Sequence, residues 1–338
     1  MGRSFYRLAG VSGLFGALAL GSLGGAAESP AADACIAPAD GPDVCLLVSH
    51  APDGASVSAP GSPRYVSFDA SVRNADASSL THVTLAIAPI HPSAGAGFSF
   101  VTAPSASAGS CSYAADSLTV TCDLGRLASG ASAEVALVLG TPTTAGTASL
   151  DFEMLVDEGP SDTSPNPGKV DTASVTELVG VSADASRAET YVPQNTEVDL
   201  SVTENGRRDG LSLPPQAFAT TAELGFTSTD EVPFECPERF VCRVGADWLT
   251  ATVPGRFDPL AEFDFFWPAS QVASNQTKRN FVLFYVASPG AALEIISARC
   301  DAELSVVPCL KDIELPKNGP LKGTLSATLV TDHNGRMY

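Results

Sequence analysis

GSCSYAADSLTVTCDLGRLASGASAEVALVLGTPTTAG, residues 109–146, is the stretch whose reading decides the fold. Leu118, Val120 and Cys122 alternate with Thr119 and Thr121, and Val135, Leu137 and Leu139 alternate with Ala136 and Val138. Successive strand side chains point to opposite faces, so each run reads as a strand with one face buried. Cys111 and Cys122 bracket the first run. The stretch is therefore a disulfide-closed β-hairpin, a turn and one further strand.

The same period extends outward in both directions. Val44–Val48 forms a strand, and Val66, Phe68, Ala70 and Val72 give an apolar face opposite a poorer one that carries Tyr65 and Ser67. Asn74-Ala75-Asp76 turns the chain into a strand with Val83, Leu85 and Ile87, and Phe98 and Phe100 belong to another. On the other side, Leu150–Val156 and Thr172–Val179 flank a loop rich in Pro, Asp and Asn. Farther on, Phe263, Phe265 and Trp267 share one face of a strand while Glu262, Asp264 and Phe266 share the other. Phe281–Val286 is apolar on both faces and predicts a central strand, and Leu325, Ala327 and Leu329 lie in a last strand before the turn at Asp332-His333-Asn334-Gly335. No helical period follows the N-terminal leader, so the chain is all-β, with turn signals at the interval of a sandwich.

Arg3 and Arg7 flank the start of an apolar, small-residue-rich run, Leu8–Leu23, and Gly25-Ala26-Ala27 offers a cleavage site. Residues 1–27 thus read as a signal peptide cut before Glu28, which predicts a secreted or envelope location. Gly10, Gly13, Gly16 and Gly21 make this run a poor membrane anchor, and Cys35 lies too far past it for a lipoprotein. With the leader removed, nothing predicts a transmembrane segment. The 338 residues carry 38 Asp and Glu against 19 Lys and Arg, a formal net charge of −19, with no basic cluster that would release counterions from a polyphosphate. Nucleic acid is therefore excluded as a partner. Eight cysteines fall in four close pairs, Cys35 with Cys45, Cys111 with Cys122, Cys236 with Cys242 and Cys300 with Cys309. In an oxidising compartment this spacing predicts four local disulfides, and no pair has the spacing of a zinc site.

VSFDASVRN, the VTLAI strand, GSCS, VTCDLGRLASGASAEVALVL, a Thr-Ala-Gly turn and the Asp/Pro/Asn-rich loop before a final strand together resemble the bacterial and archaeal extracellular repeat module known as domain of unknown function eleven. The resemblance spans residues 43–182, and Leu124-Gly125, Leu127 and Gly130 fall in family order; Asn74-Ala75-Asp76 departs from the family's usual Asn-Thr-Gly turn. It implies an immunoglobulin-like fold used in secreted or surface proteins, often in tandem. The expected fold class is therefore two immunoglobulin-like antiparallel β-sandwich domains in tandem after a signal peptide. Residues 28–42 are expected as a loose lead-in, 43–182 as the repeat domain, 183–190 as a short polar linker and 191–338 as the second sandwich. Six aromatic residues lie between 28 and 182 and fifteen between 183 and 338, so the second half builds a different core. That half is also similar to β-sandwich segments near the C-terminus of bacterial secreted proteins.

Chemistry-bearing motifs are sparse. HExxH, GxSxG, GxGxxG and P-loop patterns are missing from the chain after residue 27, which argues against an enzyme. His50, His82 and His91 stand near Ser and Thr, but a triad is defined by geometry and not by composition. Glu262 and Asp264, two apart on one strand, read as a solvated face, and so do Glu235 and Glu238 beside Cys236. Asp157, Glu158, Asp162, Asn166 and Asp171 crowd the Pro-rich loop, and hard oxygen ligands on an irregular loop suit calcium, the one cofactor candidate. Trp248, Phe266 and Trp267 are candidates for stacking on a sugar; core burial is the competing role for the two tryptophans, which leaves Phe266 as the better ligand contact. Leu315-Pro316-Lys317-Asn318-Gly319 resembles a sortase signal but lacks the apolar tail, and so reads as a turn; Asn275-Gln276-Thr277 fits a glycosylation acceptor. The expected function is a secreted, non-catalytic structural, adhesive or interaction module at the bacterial envelope, with an extracellular protein or a glycan as partner. The alternative is a carbohydrate-binding accessory protein or secreted hydrolase with its site in the second domain.

Overall fold

The computed structural model describes residues 32–36, 43–59, 63–157, 170–218, 221–229, 246–251, 256–272, 274, 276–286, 293–333 and 336–337. Twelve strands among them run up to residue 182: β1 (Ala32–Ile36), β2 (Val44–Ala51), β3 (Gly54–Ser56), β4 (Tyr65–Asn74), β5 (Leu80–Ala88), β6 (Ser99–Phe100), β7 (Ser105–Ala106), β8 (Ser110–Ala114), β9 (Thr119–Leu127), β10 (Ser132–Gly140), β11 (Gly146–Asp157) and β12 (Val170–Ser182). They form two sheets, β1-β2-β4-β10-β6 with β7 also on β10, and β3-β12-β11-β5-β9-β8. All these strand pairs are antiparallel except β3 with β12. The alternating residues of the two sheets meet in one core, with Leu46, Phe68, Val72, Leu85, Ile87, Leu137 and Phe152 all at 0–1% exposure. At roughly 25 cal/mol per Å2 of apolar surface removed from water, such facing rows are the main force holding the sheets together.

Eleven strands follow: β13 (Arg187–Val192), β14 (Val198–Glu204), β15 (Arg207–Leu213), β16 (Ala222–Thr229), β17 (Ala246–Ala251), β18 (Arg256–Trp267), β19 (Leu283–Val286), β20 (Glu294–Ile296), β21 (Cys309–Glu314), β22 (Leu325–His333) and β23 (Arg336–Met337). Their sheets are β13-β16-β17-β23-β19-β20 and β14-β15-β18-β22-β21. Leu200, Leu213, Phe226, Phe263, Leu283 and Leu329 fill the space between them. Over the described residues the protein is thus all-β, two β-sandwiches in tandem, as the alternation predicts. The expected central strand lies inside its sheet, and Phe281, Leu283, Phe284 and Tyr285 are all buried.

Four local expectations need correction. Residues 32–36 of the lead-in are strand β1, paired with β2 so that Cys35 stands opposite Cys45. Arg187–Thr190 of the linker belong to β13, and residues 183–186 form a bonded turn in which Asp184 accepts from both the N–H and the hydroxyl of Ser186. Leu118 is a turn residue with φ +55° and not the first apolar position of β9. The poorer face of β4 is covered at its start, where Tyr65 and Ser67 are buried along with Val66 and Phe68, and opens to water at Asp69 and Arg73. Its cover at Tyr65 comes from the second sandwich, where the Thr190 hydroxyl accepts from the Tyr65 N–H at 2.8 Å. The predicted signal peptide lies outside the described residues.

Candidate functional site

The expected hairpin forms as read. Cys111 stands opposite Cys122 in the β8–β9 pair, and the two are bonded. Cys35–Cys45 and Cys300–Cys309 are bonded as well, while Cys236 and Cys242 lie outside the described residues. Cys35–Cys45 and Cys111–Cys122 join strands that already pair and so lock register in the first sandwich, whereas Cys300–Cys309 ties the segment before β21 to its first residue. Cys122 and Cys309 are fully buried, which shields those sulfurs from solvent thiols.

Trp267 faces inward at 9% exposure, stacked on Phe265 with ring centroids 5.5 Å apart and edge-on to Phe281 at 5.4 Å. It is a core residue and offers no face to a sugar. Phe266 points the other way from the same strand and is half-buried, between Arg208 of β15 and Ser326 of β22 in the cross-strand register. Glu262 and Asp264 share its face and are bound to neighbours: Lys311 donates to Glu262 at 2.5 Å, and the Thr328 hydroxyl donates to Asp264 at 2.5 Å. The side chain of Trp248 lies outside the described residues. Residues 315–319 form a turn closed by the Gly323 N–H donating to the Pro316 carbonyl at 2.9 Å.

Of the calcium candidates, Asp171 is a buried residue of β12 opposite Val156. The side chain of Asp157, with Glu158, Asp162 and Asn166, lies outside the described residues, as do Glu235, Glu238 and Asn275. Among the described residues no group of three His, Cys, Asp or Glu side chains is arranged to hold a metal ion.

The histidines do not assemble a triad with any described serine. His82 pairs with Asp123 at 3.0 Å on an exposed surface. His91 joins a bridge to Ser99. His50 Nδ1 lies 2.6 Å from Glu177 Oε1, with both side chains almost wholly buried between the two sheets. The pair has a local cause: His50 continues the inward row Val44, Leu46, Val48 of β2, and Glu177 sits between Val175 and Val179 on the inward row of β12. The second sandwich holds a similar group. Arg207 Nε donates to Asp209 Oδ2 at 2.7 Å, and the Ser228 hydroxyl, which accepts from Arg207, donates to the same oxygen at 3.1 Å. Arg207 and Asp209 were legible as polar interruptions of an apolar face, since they precede Leu211 and Leu213 on one side of β15. Both buried groups tie together strands of their own sandwich.

Between the sandwiches lies a polar seam. The Glu189 N–H donates to the Ser56 hydroxyl at 2.9 Å, which donates to the Arg187 carbonyl at 3.3 Å. Arg64 donates to the Asp199 carbonyl at 3.0 Å, and Tyr65 to Thr190 as above. Thr141 and Ser58 brace it from behind: the Thr141 hydroxyl donates to the Ser56 carbonyl at 2.8 Å, and the Arg64 N–H donates to the Ser58 hydroxyl at 3.0 Å. Burial lowers the Arg64 guanidinium to about 10 against the upward pull of Asp199 and Tyr65, so it stays charged at neutral pH. Burial raises the Tyr65 phenol, with Arg64 acting the other way.

The second sandwich has a cleft of about 200 Å3, open solvent included, lined by Val192, Asn195, Thr196, Leu213, Gln216 and Phe218. Drug-sized ligands take pockets of roughly 300–1,000 Å3. No helix among the described residues is long and apolar enough to cross a membrane.

No family model and no curated protein matches the chain. Among solved structures it is similar to domains D2 and D3 of the major pilin SpaD from Corynebacterium diphtheriae, at 8% identity and a TM-score of 0.28, over 72% of this chain and 85% of that one. A likeness at that level carries no argument about function.

Proposed function

We propose that the chain is a secreted, non-catalytic structural or interaction module of the bacterial envelope, exported by the leader at residues 1–27. The observation that carries the proposal is the set of disulfides, two placed across paired strands on the outer hairpins of the first sandwich and one fastening the segment before β21 in the second. Such bonds form and persist in oxidising compartments. Buried polar groups bonded to one another, His50 to Glu177 and Arg207 to Asp209, support the same reading. The residues that carry the likeness to the extracellular repeat module point the same way. Fractionation of the producing cells with non-reducing mass spectrometry tests it: the expected product starts at Glu28, lies outside the cytoplasm and carries all cysteines bonded. A cytoplasmic product with free thiols overturns it.

A sugar-binding role rests on Phe266, the one stacking candidate among the described side chains with a solvent-facing side. Glycan-array binding lost in Phe266→Ala is the outcome that favours this role, and an array silent with the unaltered protein removes it.

A further inference from the structure

We propose that the two sandwiches act as a single stiff strut, with the seam between β3–β4 and β13–β14 fixing their mutual orientation and passing tension from one to the other. Only residues 183–186 separate β12 from β13, and a short polar connection by itself leaves two domains free to pivot. Here the connection is not left to itself. Ser56, on a strand that runs parallel to the end of β12, holds the backbone of β13 at both Arg187 and Glu189. Tyr65 holds the next turn of the same strand through Thr190, and Arg64 reaches past it to the Asp199 carbonyl of β14. These anchors lie on two strands of each sandwich, so a hinge motion about residues 183–186 would have to break several together. The Tyr65–Thr190 bond is dry, with Thr190 0% exposed, and the bonds of Ser56 and Arg64 are partly buried although those two side chains are themselves 7% and 4% exposed. Water cannot replace the buried bond without opening the seam, and the partly buried ones close around it. The turn is tied in too, for the Thr203 N–H donates to the Ala185 carbonyl at 2.6 Å and the Ser228 N–H to the Ser186 carbonyl at 2.8 Å. The inference does not depend on where the protein resides, because it concerns the motion of the purified chain.

Nuclear relaxation of backbone nitrogens in the intact, disulfide-bonded protein tests it. The expected result is one rotational correlation time shared by β4 and β10 with β15 and β18. The double variant Ser56→Ala, Thr190→Val is expected to split this into two shorter values, one for each sandwich, and Ser56→Ala alone, the milder change, to lower it part-way. Insertion of Gly-Ser-Gly-Ser after Ala185 is expected to leave the shared value intact, since the seam and not the shortness of the connection holds the parts. Two separate values in the unaltered protein, an unchanged value in the double variant, or a split in the insertion variant would each overturn the strut.

Discussion

At the scale of the residue, the His50–Glu177 pair is the most sensitive point of the first core. Removing one member of a buried pair strands the other without water or partner, at a cost of about 3–5 kcal/mol, whereas replacing both by apolar groups is often near neutral. Glu177→Ala should therefore lower the unfolding free energy from denaturant melts by an amount in that range, and His50→Phe with Glu177→Leu should recover most of it. Equal loss in the single and double variants would show that the pair is packing alone. Surface carboxylates set the acid limit. The Ser78 backbone N–H, ahead of its hydroxyl and the Asp43 N–H, holds Asp76 below its ordinary value of 3.8, and Ser186 does the same for Asp184. A depressed carboxylate contributes stability that is present above its unfolded value and is lost as pH falls through the folded one. Asp69 has the opposite sign, since burial, with Glu134 adding to it, raises its carboxyl, and protonation relieves a penalty. Asp301, held low by Ser305, adds to Asp76 and Asp184, so with three groups against one the melting temperature should fall as pH drops below 3.8, and Asp76→Asn should flatten that fall. A variant with the same acid profile as the parent would remove Asp76 from the account.

At the scale of the element, the hairpin of residues 109–146 depends on a glycine. Gly109 has φ +77°, and a Cβ there would sit 1.8 Å from the Asp123 carbonyl oxygen on β9. Backbone cannot swing away as a side chain can, so Gly109→Ala should cost on the order of 3 kcal/mol and loosen the β8–β9 pair. The check is amide hydrogen exchange, with the rise confined to residues of that pair. Gly125 and Gly130 also have positive φ but open space around them, so alanine there should cost only the backbone strain, about 1–2 kcal/mol. The alternation on these strands was readable because in-and-out order is a property of each strand alone. Which strands pair was not. β9 and β10 are adjacent in sequence and lie in different sheets, a placement decided by which apolar faces must meet.

At the scale of the whole molecule, the seam converts two cores into one object. Thr190→Val keeps the shape of the side chain and removes the acceptor of the Tyr65 N–H, leaving a buried donor unmatched at about 1–3 kcal/mol. Thermal unfolding should show that loss, with the first transition moving down. A parent protein with two independent transitions, unmoved by the substitution, would place the stability of each sandwich outside the seam.

The all-β class, the inward rows of most strands and the three observed staples were legible in the sequence, because period and spacing are local quantities, while the choice of core over sugar contact for Trp267 came from its packing on Phe265 and Phe281. The sequence also carried the polar interruptions at His50, Glu177, Arg207 and Asp209, though not their pairing. Only the tertiary structure decided that His50 meets Glu177 across the sandwich, that β1 extends the first sheet and that the supposed linker is strand and bonded turn. It also decided that the poor face of β4 is buried at Tyr65 and Ser67. Each of these depends on surfaces brought together from distant parts of the chain, where desolvation makes a hydrogen bond that no local pattern announces.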